Sequence, residues 1–375
     1  MKNILVILGT RPEAIKLAPV ILELRKNPQY KVFVCNTEQQ KELSNQTLGF
    51  FGITADFYLD VMQPNQTLAG VQARILTSLS EVFQQYHFDA VIVQGDTMSV
   101  FCGALVAFYN KVPVFHVEAG LRSYDLFEPF PEEAIRQMVS RITSLHFAPT
   151  KKSFDCLCKE GIEQTKIEET GNTVIDALSC LSAETMDDAQ KQLETLGINL
   201  NHELVLVTAH RRENHGDRLD SILSAISELA TQYPTHQFVL PVHPNPNVRE
   251  KVYQTLDGVS NIVLTKPLDY PCLVAILKKT KLVLTDSGGI QEEAPTFGVP
   301  ILVMRYETER IEGVTAGFAK LVGADKNRIT CEARLVLDKP WAETRLDGSR
   351  NPYGDGLASE RISKAIDNFL EKNLR

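Results

Sequence analysis

The sequence has no apolar run near the roughly 18 to 20 residues that a membrane-spanning helix needs. Residues 1–8 lack the length and the small-residue cleavage site of a signal peptide. Excess positive charge is also missing, because 39 Lys and Arg face 47 Asp and Glu for a formal net charge of −8. We therefore expect no membrane partner, no nucleic-acid partner and a cytoplasmic location.

Cysteine is scarce and scattered. The seven cysteines run from Cys35 to Cys331, and only Cys156 and Cys158 lie close together. A single Cys-x-Cys pair is weak evidence for a metal, so we predict mostly buried thiols, a reducing compartment and no metal site. The Gly-x-Gly-x-x-Gly fingerprint of dinucleotide-binding proteins is absent as well, which weakens any NAD-dependent interpretation. The sequence thus predicts no cofactor.

The composition is that of an ordinary globular protein, with 43% hydrophobic and 23% charged residues in a chain of 375. At about 150 residues per domain, this length predicts two domains. Short apolar runs predict buried strands at residues 4–8, 31–34, 90–93, 112–117 and 145–148, and again at 204–208, 237–240, 261–264, 282–285 and 301–303. Helix-period segments alternate with them, as at residues 14–25, 68–86 and 132–142.

This alternation predicts an α/β fold of two Rossmann-like, doubly wound domains with parallel sheets. The first domain should span residues 1–182 and the second 183–356, with a final helix at about 357–375. Ligands of such sheets bind beyond the carboxyl ends of the strands. We expect the active site in a cleft between the two domains.

Two cations begin the first predicted helix. Arg11 and Lys16 lie where the helix dipole is already positive and where helices favour acids. Their neighbours need no special function, because Thr10 and Glu13 have capping-box spacing and Pro12 suits a first helical turn. The two cations instead favour an anion, most simply a phosphate, at this strand end.

Carboxylates follow the later strands of the first domain. Asp96 closes one strand, Glu118 closes the next, and Glu132 with Glu133 opens a helix. Asp96 is also a suitable helix cap, and at least one glutamate of the pair fits ordinary first-turn chemistry. Together, however, they supply several groups for acid–base catalysis.

The second domain carries anion-binding features. His210 and Arg211 follow one strand, and His243 follows the next. A later strand ends before Ser287, Gly288 and Gly289, where a helix begins with free amide groups. Glu293, in that helix, could accept hydrogen bonds from sugar hydroxyls, although a surface salt bridge is the alternative. Arg310 adds a cation near the next strand's loop.

In combination, these motifs resemble the non-hydrolysing bacterial UDP-N-acetylglucosamine 2-epimerases, in order from residue 4 to about 370. The matching segments are Gly9-Thr10-Arg11-Pro12-Glu13, Gly95-Asp96-Thr97, His116-Val117-Glu118-Ala119-Gly120-Leu121-Arg122, Pro131-Glu132-Glu133, His210-Arg211-Arg212-Glu213, Asp286-Ser287-Gly288-Gly289-Ile290-Gln291-Glu292-Glu293 and Asn351-Pro352-Tyr353-Gly354. The resemblance implies a glycosyltransferase-B arrangement with the last helix packed on the first domain, a UDP-sugar substrate and a homodimer.

It also implies roles for individual residues. By motif match, the catalytic positions fall to Asp96, Glu118, Glu132 and His210. The nucleotide-sugar contacts fall to Arg11, Lys16, Ser287, Gly288, Gly289, Glu293 and Arg310. Some relatives bind a second UDP-sugar as an activator, and Gln39, Arg74, Arg211 and His243 match parts of that site. Two residues depart from the family pattern, Leu273 in place of an aromatic residue near the base and Glu42 in place of a glutamine.

The implied activity is the interconversion of UDP-N-acetylglucosamine and UDP-N-acetylmannosamine through elimination of UDP and a 2-acetamidoglucal. Three alternatives stay open at the level of sequence. A glycosyltransferase of the same layout would use the same phosphate loops. A hydrolysing epimerase would release free N-acetylmannosamine and UDP. A UDP-sugar-binding regulator would bind without catalysis.

Overall fold

The computed structural model describes residues 1–372, with Arg212 described by its backbone alone. The chain forms two compact units, Met1–Cys180 together with the described residues from Tyr353 onward, and Leu181–Pro352. Each unit contains one parallel sheet with helices on both faces. The predicted fold class, two doubly wound α/β units, is confirmed. Within residues 1–372, no helix is long and apolar enough to cross a membrane.

The first unit contains a seven-stranded parallel sheet. Its strands are β1 (Lys2–Leu8), β2 (Tyr30–Asn36), β3 (Phe57–Tyr58), β4 (Ala90–Gln94), β5 (Val114–Val117), β6 (Leu145–Ala148) and β7 (Ile167–Glu169), in the order β3-β2-β1-β4-β5-β6-β7. Its helices up to the second unit are α1 (Arg11–Arg25), α2 (Lys41–Phe50), α3 (Leu68–Gln85), α4 (Met98–Tyr109), α5 (Glu132–Ile142), α6 (Lys151–Lys159) and α7 (Thr173–Cys180), with a 3₁₀ turn at Gln164–Lys166. All five strands predicted here are present.

The second unit contains a six-stranded parallel sheet in the order β10-β9-β8-β11-β12-β13. Its strands are β8 (Glu203–Thr208), β9 (His236–Pro241), β10 (Ile262–Thr265), β11 (Thr280–Thr285), β12 (Ile301–Val303) and β13 (Ala319–Leu321). Its helices are α8 (Ala183–Thr195), α9 (Asp217–Gln232), α10 (Pro246–Leu256), α11 (Tyr270–Lys279), α12 (Gly288–Glu293), α13 (Ile311–Thr315), α14 (Lys326–Leu337) and α15 (Trp341–Thr344), with 3₁₀ turns at Arg212–Asn214, Ala294–Phe297 and Gly348–Arg350.

The central strands are apolar on both faces because both faces are covered by helices. In β8, Val205 and Val207 pack in a core with α9 and α14, while Leu204 and Leu206 pack in the opposite core with α8 and α11. In β1, all five residues from Ile4 to Leu8 are fully buried. This burial explains why these strands are continuous apolar runs rather than alternating patterns.

The last helix, α16 (Ala358–Lys372), belongs to the first unit. The Asp176 carboxylate of α7 accepts hydrogen bonds from the backbone N–H groups of Ser359 at 2.7 Å and Ala358 at 3.3 Å, so it caps the start of α16. Further along α16, the Phe369 ring contacts Phe115 with centroids 5.1 Å apart. The predicted final helix runs to residue 375, and residues 373–375 lie outside the described part of the chain.

Candidate active site

The candidate residues of the first unit follow β1, β4 and β5, at the carboxyl edge of the parallel sheet. β1 and β4 are neighbours although two strands separate them in the sequence, so the strand order reverses at this point. Open α/β sheets bind ligands at such a reversal. The predicted Arg11 and Lys16 follow β1, Asp96 follows β4 and Glu118 follows β5. Position in the fold therefore supports the choice of these residues.

Glu118 is held at both carboxylate oxygens. Its Oε1 accepts from Lys16 Nζ at 2.6 Å, and its Oε2 accepts from the side-chain amide of Gln94. Glu118 has a φ of 62°, a backbone conformation that costs energy for a residue with a side chain. Its side chain is 8% exposed and that of Lys16 is 12% exposed. The predicted phosphate-binding cation and the predicted acid–base group thus form an ion pair.

Asp96 forms an ion pair that the sequence did not predict. Its Oδ2 accepts from Arg136 Nε at 2.8 Å and from Arg136 Nη2 at 2.7 Å. Arg136 lies in α5, one turn after Glu132. A fork-shaped, two-donor contact fixes the carboxylate orientation as well as its charge. Asp96 does not cap α4, because Thr97 takes that position and accepts from Val100 N at 3.4 Å.

The two glutamates at the start of α5 differ in their surroundings. Glu133 is fully buried and accepts from Ser123 N at 2.9 Å and from Gln137 Nε2 at 2.9 Å. Burial opposes its ionisation, but these hydrogen bonds and the Arg136 charge outweigh that cost and hold the pKa of Glu133 below its usual 4.5. Glu132 instead has a buried Oε2 with no partner among the described residues. Glu133 is therefore structural, whereas the catalytic role of Glu132 stays a prediction.

A buried histidine supports the turn that carries Asp96. His116 Nε2 lies 2.8 Å from the carbonyl oxygen of Gly95, and burial lowers the pKa of His116 to about 4. The ring is therefore neutral at physiological pH, with Nε2 donating. Its strand neighbour His146 is also buried, and burial lowers the pKa of His146 to about 3. His116 belongs to a matching segment but was assigned no role, and His146 was not predicted, because a histidine within an apolar strand has no distinctive sequence signal.

Asp286 organises the candidate site of the second unit. Its Oδ2 accepts from the backbone N–H groups of His210 and Arg211, both at 2.9 Å, and from Asn214 Nδ2 at 3.1 Å. Its Oδ1 lies 2.9 Å from His210 Nδ1. Burial opposes ionisation of Asp286, but the His210 contact and the backbone donors hold its pKa below the usual 3.8. His210, predicted as catalytic, thus lies against the buried carboxylate of Asp286. The sequence analysis places Asp286 in a matching segment but assigns it no role.

The predicted phosphate loop follows β11. Gly288 begins α12, and a Cβ at this position would lie 3.1 Å from Arg310 Cζ, so the missing side chain lets the guanidinium lie against the helix start. Arg310 also contacts Glu292 Oε1 at 3.0 Å. Gly289 is exposed, and Ser287 is half-buried at the helix N-cap. The structure therefore brings Arg310, Ser287 and both glycines to one helix start, and the binding of an anion there stays a prediction.

Two predicted substrate contacts remain, Glu293 at the end of α12 and Arg11 at the start of α1. Glu293 ends α12 and is 5% exposed, which argues against the alternative of a surface salt bridge. Arg11 begins α1 and is half-buried, and its backbone N–H donates to Gln40 Oε1 at 3.0 Å. The two residues belong to different units.

The four residues matched to an activator site divide equally between the units. Gln39 Oε1 accepts from Ser99 Oγ at 3.0 Å, and Arg74 Nε donates to the Val61 carbonyl oxygen at 2.7 Å. In the second unit, the His243 ring stacks on His210 with centroids 6.1 Å apart. Burial, followed by the charge on His210, lowers the pKa of His243. Arg211 has a buried Nε with no partner among the described residues.

The comparisons with known proteins agree over almost the whole chain. A family model described as UDP-N-acetylglucosamine 2-epimerase matches residues 22–367. The chain is 45% identical over 367 residues to the UDP-N-acetylglucosamine 2-epimerase of Neisseria meningitidis serogroup A, covering 97% of this chain and 99% of that protein. It is 43% identical over 370 residues to the Escherichia coli enzyme of the same name, covering 98% of each.

Solved structures give the same result. The crystal structure of the Neisseria meningitidis UDP-GlcNAc 2-epimerase bound to UDP-GlcNAc matches with a TM-score of 0.88 at 45% identity, covering 98% of this chain and 100% of that one. The Methanocaldococcus jannaschii UDP-GlcNAc 2-epimerase in complex with UDP-GlcNAc and UDP matches with a TM-score of 0.80 at 31% identity, again covering 98% and 100%.

Proposed function

The chain belongs to the UDP-N-acetylglucosamine 2-epimerase family, and on that premise we propose that it interconverts UDP-N-acetylglucosamine and UDP-N-acetylmannosamine by eliminating and re-adding UDP. The enzyme is then an isomerase that releases neither sugar nor nucleotide. The observation that carries the proposal is the grouping of Glu118, Lys16 and Asp96 at the strand-order reversal of the first sheet. Acid–base groups and a cation occur together there.

The chemistry explains why these groups are needed. The C2 hydrogen has no adjacent carbonyl, so its direct removal to a free carbanion is prohibitive. Departure of UDP with the C1–O bonding pair develops oxocarbenium character at C1, which acidifies the C2 hydrogen. A base removes that proton and 2-acetamidoglucal forms. Re-addition of the UDP oxygen to C1, with proton delivery to the opposite face of C2, gives the epimer.

We assign the proton steps to carboxylates of the first unit. Glu118 is oriented by Lys16 and Gln94, and Asp96 is oriented by Arg136, so both carboxylates are held in place as a general acid or base needs to be. Glu132 is supported by its unpartnered buried oxygen. Two of these groups serve the two faces of C2, and the third contacts the sugar.

The nucleotide is proposed to bind through residues that stabilise a departing diphosphate. In the second unit these are the start of α12, with Ser287, Gly288 and Gly289, and the nearby Arg310. Backbone N–H groups and a guanidinium are suited to the charge that develops on the leaving oxygen. Arg11 and Lys16 add cations from the first unit, and Glu293 is assigned to the sugar hydroxyls.

His210 is proposed to act at the leaving phosphate. Its Nδ1 is engaged by Asp286, so Nε2 is the ring nitrogen that can face a phosphate oxygen. A carboxylate beside one ring nitrogen of a histidine fixes the orientation of the ring. A homodimer, and an activator site that includes Gln39, Arg74, Arg211 and His243, stay predictions from the family resemblance.

The proposal is tested by incubating the purified full-length protein with UDP-GlcNAc in D2O and following the products by NMR. Epimerisation should give UDP-ManNAc, and both sugars should carry deuterium at C2. With ¹⁸O in the bond between the sugar and the β-phosphate, the label should scramble into non-bridging positions as the C1–O bond breaks and re-forms. Epimerisation without scrambling refutes elimination of UDP. Accumulation of free N-acetylmannosamine identifies a hydrolysing enzyme, and binding without exchange identifies a regulator.

A further inference from the structure

Glu13 lies between two turns of the candidate site. Its Oε2 accepts from Gly9 N at 3.1 Å, from Thr10 N at 2.8 Å and from Thr10 Oγ1 at 2.6 Å, all in the turn after β1. Its Oε1 accepts from Thr97 Oγ1 at 2.8 Å, in the turn after β4. A single carboxylate therefore connects two turns that lie 84 residues apart in the sequence.

A capping role explains only part of this arrangement. A glutamate at the third helical position ordinarily reaches back to the N-cap backbone of its own helix, and Glu13 does so at Thr10. Capping glutamates need no burial, whereas Glu13 is 1% exposed. Capping also does not require the second oxygen to contact another loop. The bond to Thr97 is the feature left to explain.

Burial of this carboxylate has a cost. Burial raises the pKa of Glu13 to about 7, even though the Thr10 and Thr97 hydroxyls and the backbone donors act in the opposite direction. A buried, fully hydrogen-bonded polar group fixes the relative position of the elements that it joins, because any displacement leaves donors or acceptors unsatisfied.

The elements joined here carry the groups assigned to the reaction. Glu13 belongs to α1, which carries Arg11 and Lys16. Thr97 directly follows Asp96, whose carboxylate is held by Arg136. The Glu13–Thr97 bond thus fixes the main chain beside Asp96 relative to the helix that carries the two cations.

We infer that Glu13 is a positioning residue, which sets the distance between Asp96 and the cations of α1 through its hydrogen bond to Thr97. This inference rests on the proposed function. Misplacement of a reacting group by about 1 Å can cost about a hundredfold in rate, so a single hydrogen bond at this point has a measurable effect on turnover.

The test removes the bond from the Thr97 side, which leaves the other three donors to Glu13 in place but also removes the N-cap of α4, so the control must lose a cap as well. Thr97→Val deletes the hydroxyl and should lower kcat about tenfold or more while KM for UDP-GlcNAc stays within about twofold. Thr97→Ser keeps the hydroxyl and should restore kcat. Thr67→Val is the matched control, since Thr67 likewise caps a helix, α3, through a hydrogen bond from Gly70 N at 3.1 Å.

Glu13→Gln separates position from charge. The amide oxygen can take the three donors of the first turn, and the amide nitrogen can donate to Thr97 Oγ1, a hydroxyl that also accepts. The Glu13→Gln enzyme should therefore retain most of the wild-type kcat, within about threefold by the ordinary net value of one hydrogen bond. A loss as large as that of Thr97→Val would show that Glu13 acts through its charge or its proton, which overturns the positioning role.

The other possible results distinguish failure of the positioning role from failure of the proposed function. If wild-type protein incorporates deuterium at C2 and Thr97→Val has the same kcat, the positioning role is refuted and the proposed function stands. If Thr97→Val loses kcat only in proportion to a fall in melting temperature larger than that of Thr67→Val, the bond is merely structural, and the inference also fails. If wild-type protein incorporates no deuterium, the proposed function fails and the inference fails with it.

Discussion

Lys16 Nζ lies 2.6 Å from Glu118 Oε1, which joins two residues that the sequence assigns to different tasks. The cation was expected to bind phosphate and the carboxylate to move a proton. As an ion pair, each stabilises the charge of the other, and both side chains are largely shielded from water. Under the proposed function, we expect a substrate phosphate that approaches Lys16 to change the environment of Glu118 as well, which would couple leaving-group binding to proton transfer.

The first prediction concerns Glu118 itself. Glu118→Gln keeps the shape of the side chain but removes the group that can accept a proton. Turnover of UDP-GlcNAc should fall by at least about a hundredfold, the low end for acid–base catalysis. The measurement is deuterium incorporation at C2, with Glu81→Gln, an exposed glutamate of α3, as the control. Near-normal turnover of Glu118→Gln would remove Glu118 from the mechanism.

The second prediction concerns Gln94, which donates to the other oxygen of Glu118. Gln94→Glu places a second carboxylate against Glu118 in a buried position. Two like charges at this distance cannot both ionise easily, so one carboxylate keeps its proton to a higher pH.

The acid side of the kcat/KM profile should therefore move upward by about one pH unit or more in Gln94→Glu. Gln94→Met, which removes the donor without adding charge, is the matched comparison and should lower kcat with a smaller shift. An acid side that stays in place in Gln94→Glu would mean that the protonation of Glu118 does not control the rate.

The contacts of Gln94 and Arg136 show what the sequence could not supply. Asp96 and Glu118 were predicted because polar residues directly after apolar runs mark the carboxyl ends of strands. Their partners could not be predicted, since the pairing depends on which strands are neighbours in the sheet. For Arg136 a signal existed, because it lies three and four residues after the Glu133 and Glu132 pair and so shares a helix face with them.

The strands also divide into those that the sequence predicts and those that it does not. Central strands such as β1 and β8 were predicted because burial on both faces demands continuous apolar residues. The edge strands β3, β7 and β13 were missed. They have only two or three residues each, and their segments include exposed or charged positions such as Tyr58 and Glu168. An edge strand needs only one neighbour, so its sequence carries little periodic signal.

The third prediction is that acid destabilises the first unit through its buried histidines. The folded pKa of His116 is about 4 and that of His146 about 3, both below the ordinary 6.5. Well above pH 6.5, neither histidine is protonated in the folded or the unfolded chain, so neither makes the free energy of unfolding depend on pH. As the pH falls below 6.5, the unfolded chain binds protons that the folded chain does not, and stability falls by up to about 1.4 kcal/mol per pH unit for each histidine.

Urea melts between pH 7.5 and 5 should therefore show a steeper loss of stability for wild type than for His146→Leu, which no longer titrates at this position. His87→Gln serves as the control, since the His87 side chain is 84% exposed. Equal slopes for wild type and His146→Leu would show that His146 is solvated and titrates normally in the folded state.

The fourth prediction concerns Asp286, the buried carboxylate behind His210. In Asp286→Asn, the amide must place its nitrogen either toward the backbone N–H groups of His210 and Arg211 or toward His210 Nδ1. The first orientation sets donors against donors, at a cost of about 1 to 3 kcal/mol in the free energy of unfolding. The second turns an amide N–H group toward His210 Nδ1 and removes the carboxylate charge that lies 2.9 Å from that nitrogen.

Either orientation should lower kcat about a hundredfold if His210 acts as an acid at the leaving phosphate. Thermal melts separate the two effects, and Asp217→Asn, in the exposed first turn of α9, is the matched control. UDP binding followed by calorimetry supplies the second readout. A variant that binds UDP as tightly as wild type but turns over slowly places the role of Asp286 in the bond-breaking step. A variant with normal turnover would show that the Asp286–His210 contact only stabilises the fold and that the reaction does not depend on this carboxylate.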